Sequence, residues 1–529
     1  MDEWEPSPRG DKKFYITTAI AYVNANPHIG YAYEVIATDA LARFYRMKSE
    51  YDTFFLTGSD EHSTNVAKKA ELLGISPMEY CDNMVAIYKD TWNTLGIEYD
   101  EFIRTTSARH LIATEKVIKA MYLKGDIYKG IYKGWYCVSC EAFLQGRDLI
   151  DGACPVHRVS PELVEEDNYF FTLTKYQDRL LQHISKNPDF IQPESRRNEV
   201  LNVIKGGLED ISISRASVKW GIPFPLDENQ GTYVWFDALI NYISGIDYGT
   251  SNERFDKYWP ADIHVIGKDI TRFHCIIWPA MLMSIGIELP KKIFAHGFIT
   301  IGGEKISKTK GNLVDPKEVI KELKGEFGAD ALRYFLLREI PFGMDGNFSI
   351  ESLIKRFDSD LADDLGNLVY RTMTMVEKYF SYKVPSRGKD SGETCLARSA
   401  LGLISTVEAR MANLDISGAL TSIWDVINKA NKYIEESAPW KMSKEKDTQG
   451  LSTCIYTILE TLRIISILIF PFMPKVGMEI WRQLNMKKPL STVDIKESGK
   501  WGVITPGTEI RKAKPLFPRI VEKGGCDHE

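Results

Sequence analysis

The stretch from Phe14 to His62 constrains the architecture most. "FYITT" (Phe14 to Thr18) is β-branched and aromatic and reads as a buried strand. The turn-rich "AIAYVNANPHIG" follows. After Gly30 the apolar residues Ile36, Ala40, Phe44 and Met47 recur at helical spacing. "TFFLTG" (Thr53 to Gly58) reads as a second strand and runs into the polar "SDEH". Strand, loop, helix, strand is the opening of a parallel α/β sheet, because parallel neighbours need a crossover. In such sheets ligands collect where strand carboxyl ends meet helix N-termini, and "NPHIG" and "SDEH" both fall there.

With 529 residues the chain exceeds one core; at roughly 150 residues per domain it should hold about three or four. Residues ~125–215 break the α/β alternation and read as an inserted domain. The alternation resumes with "TYVWFDAL", "ADIHVIGKD" and "KIFAHGFIT". From about Ser352 strand signals nearly vanish, so the C-terminal third reads as a helix bundle. A net charge of −6 gives no sign of a nucleic-acid partner, although a basic surface can sit on an acidic protein. The longest apolar run, "IISILIFPFM" (Ile464 to Met473), is short of the ~18 residues of a membrane helix and reads as a buried helix end. "MDEWEPSPRGDKK" does not resemble a secretory signal. A cytoplasmic protein without a membrane partner is expected.

Two motifs carry candidate chemistry. A helix N-terminus offers unpaired N–H groups and a positive dipole end, which suit phosphate. In "NPHIG", His28 adds a donor and Gly30 lets a ligand approach the backbone, though a structural His and Gly are commoner in such loops. "GGEKISKTKGN" (Gly302 to Asn312) follows a strand; its glycines allow a mobile loop and its lysines suit polyphosphate. Alone, a lysine run is more often a solvated turn. "KMSKE" (Lys441 to Glu445) repeats the letters in the helical region without the glycines and reads as a solvated segment.

Eight cysteines in a chain of this length are no disulfide framework. Cys81, Cys275, Cys395 and Cys454 are scattered and read as small core residues. Cys137-Val-Ser-Cys140 and Cys154-Pro-Val-His157 instead give C-x2-C, thirteen residues, then C-x2-H. Two such knuckles match a tetrahedral zinc site. With no evident open position, one structural Zn2+ per chain is expected.

"HIG" after the first strand and "KISK" after a late one resemble the two signatures of class I aminoacyl-tRNA synthetases, written HIGH and KMSKS. "GSDEHSTNVAKKA", "YVWFDALINY", "HVIGKDITRFHCIIWPA", "FAHGFIT" and "DDLGNLVYRT" are similar, in order, to the methionyl-tRNA synthetase family, from Phe14 to near Pro474. The fourth HIGH position is Tyr31 here, a phenol that can still donate a hydrogen bond.

The resemblance implies an α/β fold: a Rossmann-type parallel-sheet catalytic domain with a zinc-bearing connective-peptide insertion and a C-terminal α-helical bundle. The catalytic halves would be 12–124 and 216–351, the second carrying the "KISKT" loop and a stem-contact region. The insertion would be 125–215, and the anticodon-binding bundle with its tail 352–529. It implies a methionine pocket of Ile20, Tyr22, Trp235, Ala238, Tyr242 and His274, with Asp60 on the ammonium. Gly267 and Asp269 would hold the adenosine, and His28, Gly30, Tyr31, Lys305 and Lys308 the phosphates, with Mg2+. Cys137, Cys140, Cys154 and His157 would hold the zinc. Asn367, Arg371 and Trp440 would read a CAU anticodon, with polar groups on base edges and an aromatic to stack a base.

The implied reaction has two steps. The carboxylate of L-methionine attacks the α-phosphate of ATP and releases pyrophosphate; the terminal adenosine of tRNA(Met) then takes the methionyl group. The carboxylate is already ionised, so catalysis is positioning plus charge neutralisation, by His28, Lys305 and Lys308. Two alternatives stand beside this reading. Another class I synthetase would carry a large editing insertion or use zinc to grip its substrate. An RNA-binding protein on a degenerate scaffold need not keep "KISK" and "SDEH". The chain ends soon after the bundle, and a monomer is expected.

Overall fold

The computed structural model describes residues 10–138, 142–144, 146, 149–155, 158–216, 220–305, 313–323, 325–387 and 394–520. Cys140, His157, Lys308 and the side chain of Lys305 lie outside the described residues.

The first α/β stretch runs β1 (Lys12–Thr18), β2 (Ala21–Tyr22), α1 (Ile29–Arg46), β3 (Tyr51–Asp60), α2 (Thr64–Leu73), α3 (Pro77–Thr94), β4 (Glu101–Arg104) and α4 (Ala108–Leu123). There follow β5 (Ile127–Cys137), β6 (Ala142–Leu144), β7 (Glu162–Phe171), α5 (Gln177–Lys186), β8 (Ile191–Gln192), α6 (Glu194–Lys205) and β9 (Ile211–Ser212). The chain continues through β10 (Ser214–Arg215), β11 (Pro223–Phe224), β12 (Asp227–Thr232), α7 (Val234–Leu239), α8 (Asn241–Ser244), α9 (Glu253–Tyr258), β13 (Ile263–Gly267), α10 (Trp278–Ile285) and β14 (Ile293–His296). Next come β15 (Ile299–Ile301), β16 (Glu304–Lys305), α11 (Pro316–Glu322), α12 (Gly328–Glu339) and β17 (Gly346–Phe348). The bundle holds α13 (Ile350–Arg356), α14 (Asn367–Phe380), α15 (Cys395–Ala412), α16 (Ile416–Ser437), α17 (Pro439–Glu445), α18 (Thr448–Ile469), α19 (Pro474–Gln483) and α20 (Ile495–Ser498).

The central sheet has the order β2-β3-β1-β13-β14-β8, with β4 also on β3. Every pairing in it is parallel. Phe14 to Thr18 are all buried, as a central strand covered on both faces requires. The register sets Ile16 beside Phe55 and Ile263, so the carboxyl ends of β1, β3 and β13 reach one edge together.

The expected insertion is not separate throughout. β5 and β7 form a long antiparallel ribbon, from Ile127 opposite Phe171 to Tyr136 opposite Glu162, flanked by β6 and β9. Ile191 and Gln192, inside the same span, instead pair with Ile293 and Phe294 of the central sheet. A strand of two residues has no periodicity, so it is not legible in the sequence.

α18 has the length and hydropathy of a membrane span, which a search for unbroken apolar runs passes over. In the fold, 89% of that window is buried, as befits the core helix of the bundle. Sheet and bundle are joined by the fully buried Arg333 of α12. It meets Asp39 of α1 at 2.6 Å and donates to the carbonyls of Pro471 and Phe472, in the α18–α19 turn, at 3.0 and 2.8 Å.

Candidate active site

A cavity of about 1680 Å3 opens at the carboxyl edge of the sheet. Ile20 just beyond β1, Tyr22 in β2, Asp60 ending β3 and Gly267 ending β13 all line it. α1 directs its N-terminus into the same space. His28 is its N-cap, and its Nδ1 accepts a hydrogen bond from the Gly30 N–H at 3.1 Å. That satisfies one orphan donor of the first turn and places the proton of the neutral ring on Nε2. Any Cβ at residue 30 would lie 2.9 Å from the ring's Cε1, so this contact demands glycine. The Tyr31 ring lies 4.6 Å from that of His28. Burial, helped by the carboxylates of Asp269, Glu34 and Asp60, pushes the Tyr31 phenol well up, so it stays a neutral donor. On the facing strand, a Cβ at Gly267 would approach the Asp269 Oδ1 to 2.8 Å. The missing side chain lets the carboxylate fold back over the strand end.

The other half of the cavity is aromatic and neutral. Trp235 of α7 stacks on Phe273 at 4.2 Å with 11° between the rings. Phe273 and His274 belong to a π-helical turn, Phe273–Ile277, ahead of α10. Such turns recur at functional sites. Tyr22 donates its hydroxyl to the Ser63 Oγ at 2.7 Å. His274 Nδ1 faces the Ile270 carbonyl at 3.0 Å, and Nε2 faces the Tyr242 hydroxyl at 2.7 Å. A carbonyl can only accept, so Nδ1 carries the proton and Nε2 accepts from Tyr242. Burial depresses His274 to about 4, against the opposing pull of Ile270 and Asp269, and keeps it neutral. Ala238 completes the wall, and Asp60, only 6% exposed, is the carboxylate at its rim.

β15 and β16 form a hairpin that turns on Gly302 and Gly303, with φ of 59° and 80°. Two consecutive positive φ values are what a tight two-residue turn needs. These glycines, read in the sequence as flanking a mobile loop, form the turn ahead of the "KISK" segment; Ile306 to Asn312 lie outside the described residues. "KMSKE" lies within α17 in the bundle, with Lys441 and Lys444 exposed.

A family profile described as tRNA synthetases class I (M) matches residues 14–160 and 146–373. A profile of the anticodon-binding domain of tRNA ligase matches residues 397–514. The methionine–tRNA ligase of Caldanaerobacter subterraneus subsp. tengcongensis is 50% identical over 516 residues, 97% of this chain and 80% of that protein. That of Thermotoga maritima is 44% identical over 516 residues, 97% and 81% of the two chains. Mycobacterium tuberculosis methionyl-tRNA synthetase in complex with methionyl-adenylate matches the fold with a TM-score of 0.91 at 43% identity, covering 96% of this chain and 100% of that one. The chain belongs to the methionyl-tRNA synthetases of class I. Its activity is that of a methionine–tRNA ligase.

For a methionyl-tRNA synthetase, the cavity holds one ionisable pair that the motifs did not single out. Glu34 Oε2 lies 2.8 Å from His296 Nε2, and Glu34 Oε1 accepts from the Ala19 N–H at 3.0 Å. His296 Nδ1 faces the Gly297 carbonyl at 2.8 Å and so carries a proton. Burial raises Glu34; burial opposes the rise at His296, but Glu34 outweighs it. The two are joined by a hydrogen bond between Oε2 and Nε2. A carboxylate one turn inside the otherwise apolar start of α1 was the available signal, together with the unassigned histidine of "FAHGFIT".

On the bundle, Asn367 opens α14 and is exposed; Arg371 follows one turn later. Arg371 meets Glu435 of α16 at 2.7 Å, and Glu435 is five residues ahead of Trp440. Trp440 is half-buried against the core at the start of α17. In the insertion, Cys137 and Cys154 are fully buried. Cys137 ends β5, and the Arg158 N–H donates to the Cys154 carbonyl at 2.8 Å.

Proposed function

We propose that the cavity at the carboxyl edge of the sheet is where methionine meets ATP. Asp60 takes the ammonium, while Ile20, Tyr22, Trp235, Ala238, Tyr242 and His274 enclose the side chain. A thioether is polarisable and favours aromatic edges, and a neutral His274 avoids setting a charge against it. Asp269, held over Gly267, takes the ribose. The α1 N-terminus with His28, Gly30 and Tyr31 faces the phosphates, and Lys305 and Lys308 neutralise the charge that grows on them. Mg2+ would accompany the ATP phosphates. The reading rests on one observation: residues from separate strand ends, α1, α7 and the π turn line the same cavity.

The buried thiols of Cys137 and Cys154 fit a structural zinc completed by Cys140 and His157, which would hold the tip of the β5–β7 ribbon. Asn367, Arg371 and Trp440 would take the CAU anticodon of tRNA(Met). We take the enzyme to be cytoplasmic and monomeric.

Methionine-dependent ATP–pyrophosphate exchange tests the reading. Lys308→Ala should lower it by about 3–4 kcal/mol in activation free energy, while Lys444→Ala leaves it alone. Equal losses would overturn the loop assignment. Metal analysis should find about one zinc per chain, removed by Cys154→Ser. Zinc-free protein prepared without chelators would sink that site.

A further inference from the structure

α7 is a short wall of the cavity. It has six residues, Val234–Leu239, and no side-chain hydrogen bond at its N-cap, Tyr233. A helix this short does not hold itself in water and depends on tertiary anchors. Yet it carries Trp235 and Ala238. Between them stands Asp237, fully buried and pointing away from the cavity. Its Oδ2 accepts from His62 Nδ1 at 3.1 Å, and both side chains are buried. His62 sits two residues after Asp60, on the segment that leaves β3. The Trp220 ring stands edge-on to the imidazole, with centroids 6.0 Å apart, and donates its indole N–H to the Glu61 carbonyl at 2.7 Å. The Asp237 Oδ1 meets no donor among the described residues. A half-satisfied carboxylate in the interior is a burden on stability, so packing alone does not account for it.

We propose that His62 and Asp237 form a clasp that sets the distance between the ammonium anchor Asp60 and the side-chain wall of α7, and so act as positioning residues for amino-acid selection. The clasp links two short segments, each bearing one half of the amino-acid site, through a single buried hydrogen bond. Its neighbours are already committed: Ser63 to Tyr22, Glu61 to Arg104 and Ser59. The proposal rests on the assignment of the methionine side chain to Trp235 and Ala238.

The test is ATP–pyrophosphate exchange by the full chain carrying Asp237→Asn, His62→Leu or both. The methionine KM should rise roughly tenfold in each single variant, with no further rise in the double, because the two residues act as a unit. The ATP KM and the rate at saturating methionine should stay within about twofold. The kcat/KM ratio of ethionine, one methylene longer, to methionine should rise as the wall loosens. Should Asp237→Asn fail to fold, Asp237→Glu keeps the charge and moves α7, and the ethionine ratio is read there. Folded variants with unchanged methionine KM and ethionine ratio overturn the clasp. So does an equal fall in every kinetic constant, the mark of a merely structural pair. Trp235→Ala separates the two levels: if it leaves the methionine KM unchanged, the pocket assignment itself is wrong.

Discussion

The proposed methionine–ATP cavity and the proposed anticodon face on the bundle are built differently. Around the cavity the key side chains are buried or half-buried and each is held by others. His28 is held by the Gly30 N–H, His274 by Ile270 and Tyr242, Tyr22 by Ser63, and Glu34 by Ala19 and His296. On the bundle, Asn367 is exposed and Arg371 leans on Glu435, a partner 59% exposed. The chemistry explains the difference. Adenylate formation depends on charge stabilisation in a fixed geometry. A single-stranded base is accepted by stacking and by edges that a surface side chain can reach. Substitutions around the cavity should therefore cost more than those on the bundle.

The largest effect should come at Asp60. Asp60 is the proposed partner of the methionine ammonium, and removing one partner of a buried charge pair costs about 2–5 kcal/mol. Asp60→Ala should lower kcat/KM for methionine in exchange by that amount, with the ATP KM nearly unchanged. A loss smaller than that from any bundle variant would reverse the comparison.

Acid should separate the two regions by sign. Unfolded, His274 titrates near 6.5; folded, it is held at about 4 by burial. Its contribution is complete above pH 6.5 and is lost as pH falls toward 4, in total about 3 kcal/mol. Asp364, ahead of α14, is raised to about 6 by burial and by Asp360 and Asp363. Its contribution is complete below its ordinary value of 3.8 and is lost as pH rises through 6, the opposite direction. Urea melts between pH 4 and 6.5 should show His274→Gln losing less stability on acidification than wild type, and Asp364→Asn losing more. Parallel curves for all three proteins would remove the contrast.

Much of this was legible before the fold. The central strand, the "NPHIG" connection and the helical C-terminal third follow from periodicity, and the family's motifs point to residues that line one cavity. Three things were not legible, each for a physical reason. β8 is too short to show a period. The Glu34–His296 pair joins residues 262 positions apart, which only the parallel register brings together. Gly302 and Gly303 have the composition of many glycine loops, and only the structure shows that they form the two-residue turn between β15 and β16.

Between the extremes lies Trp440. It is half-buried, so a ring that stacks an anticodon base and a ring that fills the core give the same exposure. The half-reactions tell them apart. Trp440→Ala should leave methionine-dependent exchange near wild type while aminoacylation of CAU tRNA falls by about 1–3 kcal/mol, the worth of one stacked base. Exchange is the internal control, because a misfolded variant loses both. Normal charging would make Trp440 a core residue.

The smallest effect belongs to Glu435. Its pair with Arg371 is largely exposed, and such pairs contribute about 0.2–1 kcal/mol. Glu435→Gln should shift the urea midpoint accordingly and leave exchange untouched. It also removes a negative charge from the face proposed to meet RNA, so aminoacylation should improve slightly, more at low salt, where the repulsion is less screened. The matching cavity variant is Tyr242→Phe. It strips the donor from the buried His274 Nε2, and an unsatisfied buried acceptor costs about 1–3 kcal/mol. The two substitutions each delete one partner of a polar contact, at 2.7 Å in both cases. Burial is what separates them. If Glu435→Gln costs as much stability as Tyr242→Phe, the bundle face is as firmly built as the cavity, and the difference in preparation between the two sites does not exist.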